Sequence, residues 1–277
     1  VMAYFFLFAR TARDASREFL LRAQQAGSPA LPHPPGYWLV YRHLLTFGHA
    51  VLDKIAVWLG GIDSSRVEFP YRETLRAKIA EGRGGVILAS HLGNLEICRA
   101  MSRQTPTLKL NILVHTRHAQ KFNDLLRKVN PGSDLTFLQV TEVGPDTAML
   151  LQQKIDAGEF LAIVGDRIPV ADNKRMSTVM FLNHPAAFPQ GPFILAALLK
   201  CPVYTLFCVQ DNGHYRVDVE PFAEQLVLQR KTRMADLERY IQQFAMRLEQ
   251  YALRYPLQWF NFFPFWNPEN GQRVDRK

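Results

Sequence analysis

His91 and Glu96 stand five residues apart in Gly85-Val-Ile-Leu-Ala-Ser90-His91-Leu-Gly-Asn-Leu-Glu96. A neutral imidazole takes a proton near pH 7. A carboxylate on its other ring nitrogen fixes the tautomer and stabilises the imidazolium that forms, so the pair has the makings of a general base. On one α-helix, residues five apart point about 140° away from each other. The two side chains can therefore meet only if His91 precedes the helix and Glu96 reaches back from its first turns. Val86-Ile-Leu-Ala89 reads as the buried strand that delivers His91, and Gly93 and Asn94 permit a tight turn into the helix.

Further polar residues follow other apolar runs. Arg117 lies in Val114-His-Thr-Arg117-His118, just past a strand expected over 108–115. Its planar fork suits a phosphate or phosphopantetheine group, although a plain surface arginine fits the same pattern. Asp166 and Arg167 close the run Phe160-Leu-Ala-Ile-Val-Gly-Asp166-Arg167. Asp166 is expected to position Arg167 for a donor or acceptor phosphate, unless the two form only a structural ion pair at a loop. Lys174 and Arg175 add positive charge that a solvated face would also explain. His115 and His118 lack a further ligand at metal spacing, so polar packing is the better reading and no metal is expected.

The elements that must position these residues follow a βα rhythm. Helices are expected over 2–25 and 37–60, a short strand at 67–69 and a charged helix over 71–81. Strand 85–90, helix 93–103, strand 108–115, helix 119–128 and strand 135–140 come next. Helix 145–157 and strand 160–165 precede a looser segment that runs to about 187. Helix 190–199, strands 202–209 and 214–220 and a long helix over 232–254 complete the pattern. Alternation on this scale implies an α/β fold, a single αβ-sandwich with a largely parallel mixed sheet and an N-terminal helical extension. Sites in such sheets lie at the carboxyl ends of the strands. His91, Arg117, Asp166 and Arg167 all fall there.

These segments, taken in order, resemble the bacterial late acyltransferases of lipid A biosynthesis, within the wider glycerolipid acyltransferases. His91 and Glu96 match the His-x4-Asp/Glu motif, and Asp166-Arg167 the basic residue after a strand. Phe188-Pro189-Gln190-Gly191 is similar to the Phe-Pro-Glu-Gly block, and Cys201-Pro202-Val-Tyr-Thr-Leu-Phe-Cys-Val209 to a proline-containing apolar strand. The likeness covers roughly residues 85–210 and weakens outside them. His115-Thr-Arg-His118, Gly144-Pro-Asp-Thr147 and Gln258-Trp-Phe-Asn-Phe-Phe263 resemble the branch linked to aryl polyene or other specialised lipid pathways. The resemblance implies transfer of a fatty acyl chain from acyl carrier protein, or coenzyme A, to a hydroxyl of a lipid or glycolipid such as a lipid A precursor. It implies His91 as base, Glu96 as its orienting carboxylate, no cofactor beyond the thioester, and Gln190 and Gly191 at the substrate. Gln190 departs from the block's carboxylate, which removes any role resting on charge. Lysophospholipid acyl transfer is the nearest enzymatic alternative, and a non-catalytic lipid-binding protein the nearest non-enzymatic one.

A chain of 277 residues with 48% apolar content suits one sizeable domain. Residues 27–36 form a proline-rich linker, dividing an N-terminal helix (1–26) from an expected acyltransferase domain (37–277). A net charge of +8 suits anionic lipid and an acidic carrier protein. No nucleic-acid-binding signature accompanies it, so nucleic acid is not expected as a partner. The three cysteines fit buried thiols. No run reaches the roughly 18–20 apolar residues of a membrane span. The opening Val1-Met-Ala-Tyr-Phe-Phe-Leu-Phe-Ala9 precedes Arg10, Arg13, Arg17 and Arg22, the reverse of a signal peptide. It reads as the end of an anchor whose beginning is absent, as an interfacial helix, or as a core-packed one. The expected location is the cytoplasmic face of a bacterial inner membrane. The aromatic run Trp259–Trp266 would line an acyl tunnel, lie at the bilayer surface, or pack over the core.

Overall fold

The computed structural model describes residues 2–58, 66–95, 97, 108–114, 135–139, 144–168 and 175–266. Glu96, Arg117, His115, His118, Lys174, Cys98, the helix expected over 119–128 and most of that over 93–103 lie outside this set. Among the described residues the order is α1 (Met2–Phe8), α2 (Arg10–Gln25), α3 (Tyr37–Trp58), β1 (Val67–Glu68), α4 (Arg72–Ala80), β2 (Gly85–Ala89), β3 (Leu110–Val114) and β4 (Leu135–Gln139). Then come α5 (Pro145–Asp156), β5 (Phe160–Val164), β6 (Met176–Phe181), β7 (His184–Pro189), α6 (Gly191–Leu199), β8 (Val203–Asp211), β9 (His214–Ala223) and α7 (Arg233–Arg254).

The main sheet runs β1-β9-β8-β2-β5-β3-β4. From β8 to β4 all neighbours are parallel, while β9 returns antiparallel to β8 and β1 pairs parallel to β9. This is the expected α/β fold with a largely parallel mixed sheet. Strands β2 and β8 are almost wholly buried, as central parallel strands covered on both faces must be. The side chains of β2, β5 and β8 alternate between two cores. Val86, Leu88, Leu161, Ile163, Phe207 and Val209 join one. Ile87, Phe160, Ala162, Leu206 and Cys208 join the other.

Helices α2 and α7 cover the first core. On α2, Ala12, Ala15, Phe19, Leu20 and Ala23 face inward at helical spacing. On α7 the inward stripe is Leu237, Ile241, Phe244, Ala245, Leu248 and Ala252. The N-terminal helical segment is therefore divided in function. Its second helix is core-packed, whereas α1 buries no residue fully and exposes Tyr4, Leu7 and Phe8. The structure also breaks the single helix expected over 2–25 into two, at Ala9.

The segment expected to be loose contains the hairpin β6–β7. Its register pairs Phe181 with His184, leaving a two-residue turn of Leu182 and Asn183. Both turn residues have positive φ, 51° and 61°, the geometry of a type I′ turn. No glycine marks that turn, and Pro185 and Pro189 argue against a strand. A free-standing two-stranded ribbon tolerates those prolines because each strand is an edge. The Leu182 N–H is satisfied by Glu249 of α7, and Gln242 bonds both backbone groups of Met180.

Gly93 fixes the turn after β2. Its φ is +77° and its N–H donates to Gln258 O at 2.7 Å. A Cβ there would stand 1.7 Å from the carbonyl oxygen of Cys208. Gly191 is the opposite case, with nothing within 4 Å of such an atom. Gly93→Ala is expected to cost at least about 3 kcal/mol, from a clash with backbone and a left-handed φ together. Gly191→Ala should stay within about 1 kcal/mol. Urea unfolding midpoints of the two variants check both.

Candidate active site

The register of β2 against β5 builds the site. Ala89 pairs with Val164, so His91 and Asp166 each stand two residues beyond the same rung. They emerge side by side at the carboxyl ends of neighbouring parallel strands, where open α/β sheets place their sites. His91 Nδ1 lies 2.8 Å from Asp166 Oδ1, and the His91 backbone N–H donates to Oδ2 at 2.8 Å. A carboxylate only accepts, so Nδ1 carries the proton. The lone pair of the neutral ring is then on Nε2, which no described residue engages. The His91 side chain is partly exposed, at 29%, while that of Asp166 is at 0%.

The C-terminal aromatic segment completes the pair. Residues 258–260 run antiparallel beside 91–93: Leu92 bridges Trp259, and the Phe260 N–H donates to His91 O at 2.9 Å. The Trp259 side chain turns inward, fully buried, and its Nε1–H donates to Asp166 Oδ2 at 2.9 Å. Burial pushes the Asp166 carboxyl up. The positive charge that His91 can carry, its ring hydrogen bond, the Trp259 indole and the His91 amide outweigh that effect. Together they hold it below the ordinary carboxylate value.

A family model described as bacterial lipid A biosynthesis acyltransferase matches residues 40–267. The chain belongs to that family. It is therefore an acyltransferase, and it acts on lipid. Comparison with curated proteins gives no significant match.

The acyltransferase brings some sequence-predicted site residues together and leaves others apart. His91 and Asp166 are in contact. The expected Asp166–Arg167 unit is replaced: both Asp166 oxygens are taken by His91 and Trp259, and the Arg167 guanidinium lies 5.2 Å from the Phe263 ring centroid. Asp166 is turned inward and fully buried, whereas Arg167 is exposed. Gln190 spends both amide hydrogens inside the hairpin, on Met176 O and Ser177 Oγ at 3.0 Å each. In that position it ties β6 to the start of α6, beside Gly191. Glu96 and Arg117 lie outside the described residues.

Two further residues were not among the candidates. Trp259 sits within the aromatic run, whose composition says nothing about which ring would reach Asp166, 93 positions away. His43 lies on α3, fully buried. Its Nε2 is 3.0 Å from the Trp259 carbonyl oxygen and its Nδ1 2.9 Å from Ser16 Oγ on α2. A carbonyl accepts, so Nε2 carries the proton and Nδ1 accepts from Ser16. Burial lowers the His43 pKa from 6.5 to about 4, against the upward pull of its bond to Trp259. The ring is thus neutral at physiological pH.

A histidine that titrates lower in the folded than in the unfolded chain makes unfolding easier as pH falls between those two values. The His43 contribution is complete above pH 6.5 and lost as pH falls towards about 4. Its size is about 3 kcal/mol. Asp166 has a depressed value too, and its contribution is lost only below its ordinary pKa of 3.8. Denaturant unfolding between pH 7 and 4 should therefore show a loss of that order in the wild type that is absent from His43→Gln.

Proposed function

We propose that the enzyme transfers a fatty acyl chain from acyl carrier protein, or from coenzyme A, to a hydroxyl group of a lipid or glycolipid such as a lipid A precursor, with His91 as general base. The observation that carries this reading is the 2.8 Å contact of His91 Nδ1 with buried Asp166 at the strand ends, which leaves Nε2 as the basic atom on the accessible side of the ring. His91 Nε2 takes the proton of the acceptor hydroxyl as its oxygen attacks the thioester carbonyl. The tetrahedral intermediate then expels the thiolate, which receives that proton from the imidazolium. Asp166 keeps the tautomer correct and stabilises the imidazolium in between. The reaction needs no metal and no cofactor besides the thioester donor. Glu96 keeps a proposed place near the base, with orientation of Nδ1 assigned to Asp166. Arg117 and Arg167 are proposed to meet phosphate on donor or acceptor, and Gln190 and Gly191 to shape the turn bordering the substrate.

We place the enzyme at the cytoplasmic face of the bacterial inner membrane. No described helix is long and apolar enough to cross a membrane. Support for surface binding comes from the exposed Tyr4, Leu7 and Phe8 of α1 and Tyr37 and Trp38 of α3. Arg13 reaches back to the carbonyls of Phe6 and Leu7, and Arg17 lies 5.8 Å from the Tyr37 ring centroid. Aromatic rings flanked by arginines match the interface between acyl chains and anionic headgroups.

Transfer from radiolabelled acyl carrier protein into a bacterial lipid extract tests the chemistry. His91→Ala should lose at least about 100-fold in rate, and Asp166→Asn a comparable amount, because an amide supports the wrong tautomer. Glu96→Ala should lose less. Full activity in His91→Ala would refute the base, and a lipid product absent with every donor would refute the transfer. In flotation with anionic vesicles, the Tyr4→Ser, Leu7→Ser, Phe8→Ser triple variant should bind several-fold more weakly than the wild type.

A further inference from the structure

Four hydrogen bonds form one continuous run from α2 to the base. Ser16 Oγ–H donates to His43 Nδ1, His43 Nε2–H to the Trp259 carbonyl, Trp259 Nε1–H to Asp166 Oδ2, and His91 Nδ1–H to Asp166 Oδ1. The Trp259 ring is clamped edge-on by Phe19, Phe181 and Phe265 at centroid distances of 4.7, 5.2 and 4.9 Å. These contacts leave the indole one orientation, and in it the N–H faces the carboxylate. Trp266 shows that burying an indole does not by itself produce such a bond, since its buried Nε1 has no hydrogen-bond partner among the described residues.

The origin of the donors matters. His91 Nδ1 holds Oδ1, and Oδ2 accepts from both the His91 amide and the Trp259 indole. A carboxylate held only by the two donors of one residue moves with that residue. A donor from a second, tightly packed segment fixes it to the core as well. We propose that Trp259 is a positioning residue for catalysis: its indole N–H locks Asp166 against His91, and His43, set by Ser16, locks Trp259. The proposal rests on the reading of His91 as the base. It assigns α2 and α3 a part in the site, through one buried ring and one hydroxyl.

The electrostatic consequence separates this role from packing. The indole N–H withdraws part of the negative charge that Asp166 offers to His91. Without it, Asp166 accepts more strongly from the His91 Nδ1–H, and the resonance of that ring proton moves downfield. Among the described residues named at the site, His43 is neutral and Arg167 stands over Phe263, while Glu96 lies outside the described set. All three are retained in a Trp259 variant.

The test uses the full chain labelled with [15N]histidine, with the His91 ring resonances assigned against His91→Gln. Two replacements are compared: Trp259→Phe, and benzothienylalanine at position 259, which keeps the bicyclic shape and lacks the N–H. The expected result is a downfield move of the His91 Nδ1–H resonance in both. The rate of transfer from acyl carrier protein into lipid extract should fall about tenfold in kcat, with KM within about threefold. His43→Gln and Ser16→Ala should move the same quantities in the same direction by smaller amounts. An unmoved His91 Nδ1–H resonance, or an unmoved kcat, in folded benzothienylalanine protein overturns the proposal. If the wild type transfers nothing, the functional reading fails on its own, and the resonance still decides whether Trp259 governs the pair.

Discussion

A carboxylate removed from water demands compensation, and Asp166 is wholly removed. An ionised group in that position is strongly unfavourable unless donors satisfy it. Three N–H groups do so: the His91 amide, the His91 ring and the Trp259 indole. Each needs a different part of the chain to be in place. The first two require β2 and β5 to pair in the observed register. The third requires the C-terminal segment to lie antiparallel beside Leu92. One buried charge thus ties together strand register, the turn after β2 and the path of the chain's last described residues.

That turn explains the residues following His91. Backbone from β8 approaches on one side and backbone from residues 258–260 on the other. Gly93 donates to Gln258 and Asn94 to the Cys208 carbonyl. A side chain at position 93 would occupy the space of that carbonyl. The glycine is needed less for loop freedom than because two backbones meet there, and their closeness is what brings Trp259 within reach of Asp166.

The N-terminal helices join two environments. The inward residues of α2 and α3, Phe19, Leu20, Ser16 and His43, belong to the core and to the hydrogen-bonded run behind the site. Tyr37 and Trp38 at the start of α3, with Tyr4 and Phe8 of α1, present aromatic rings to the surroundings. The layer proposed to touch lipid is therefore the layer that supports His91 and Asp166. In an acyltransferase acting on lipid, such an arrangement would hold the site at a fixed height relative to the helices proposed to lie on the bilayer.

Most of the described elements, the largely parallel sheet and the location of His91 and Asp166 beyond strand ends were legible in the sequence, because hydrophobic periodicity and chain order dictate them locally. Asp166 was legible as a candidate, in a local pattern that pairs it with its neighbour Arg167. Its actual partner is set by the β2–β5 register, which no local pattern encodes. The β6–β7 hairpin escaped notice because its turn uses Leu182 and Asn183 and its strand carries two prolines. Its stability comes from Glu249 and Gln242 on α7, remote in sequence. The aromatic run at 259–266 announced apolar burial or a lipid contact without distinguishing them. Packing alone selected Trp259 as the ring that reaches a carboxylate. The sequence by itself determined which residues could do chemistry and on which edge of the sheet they would stand. Tertiary structure decided which of them touch, since hydrogen bonds between segments 75, 93 and 216 positions apart follow from strand register and close packing.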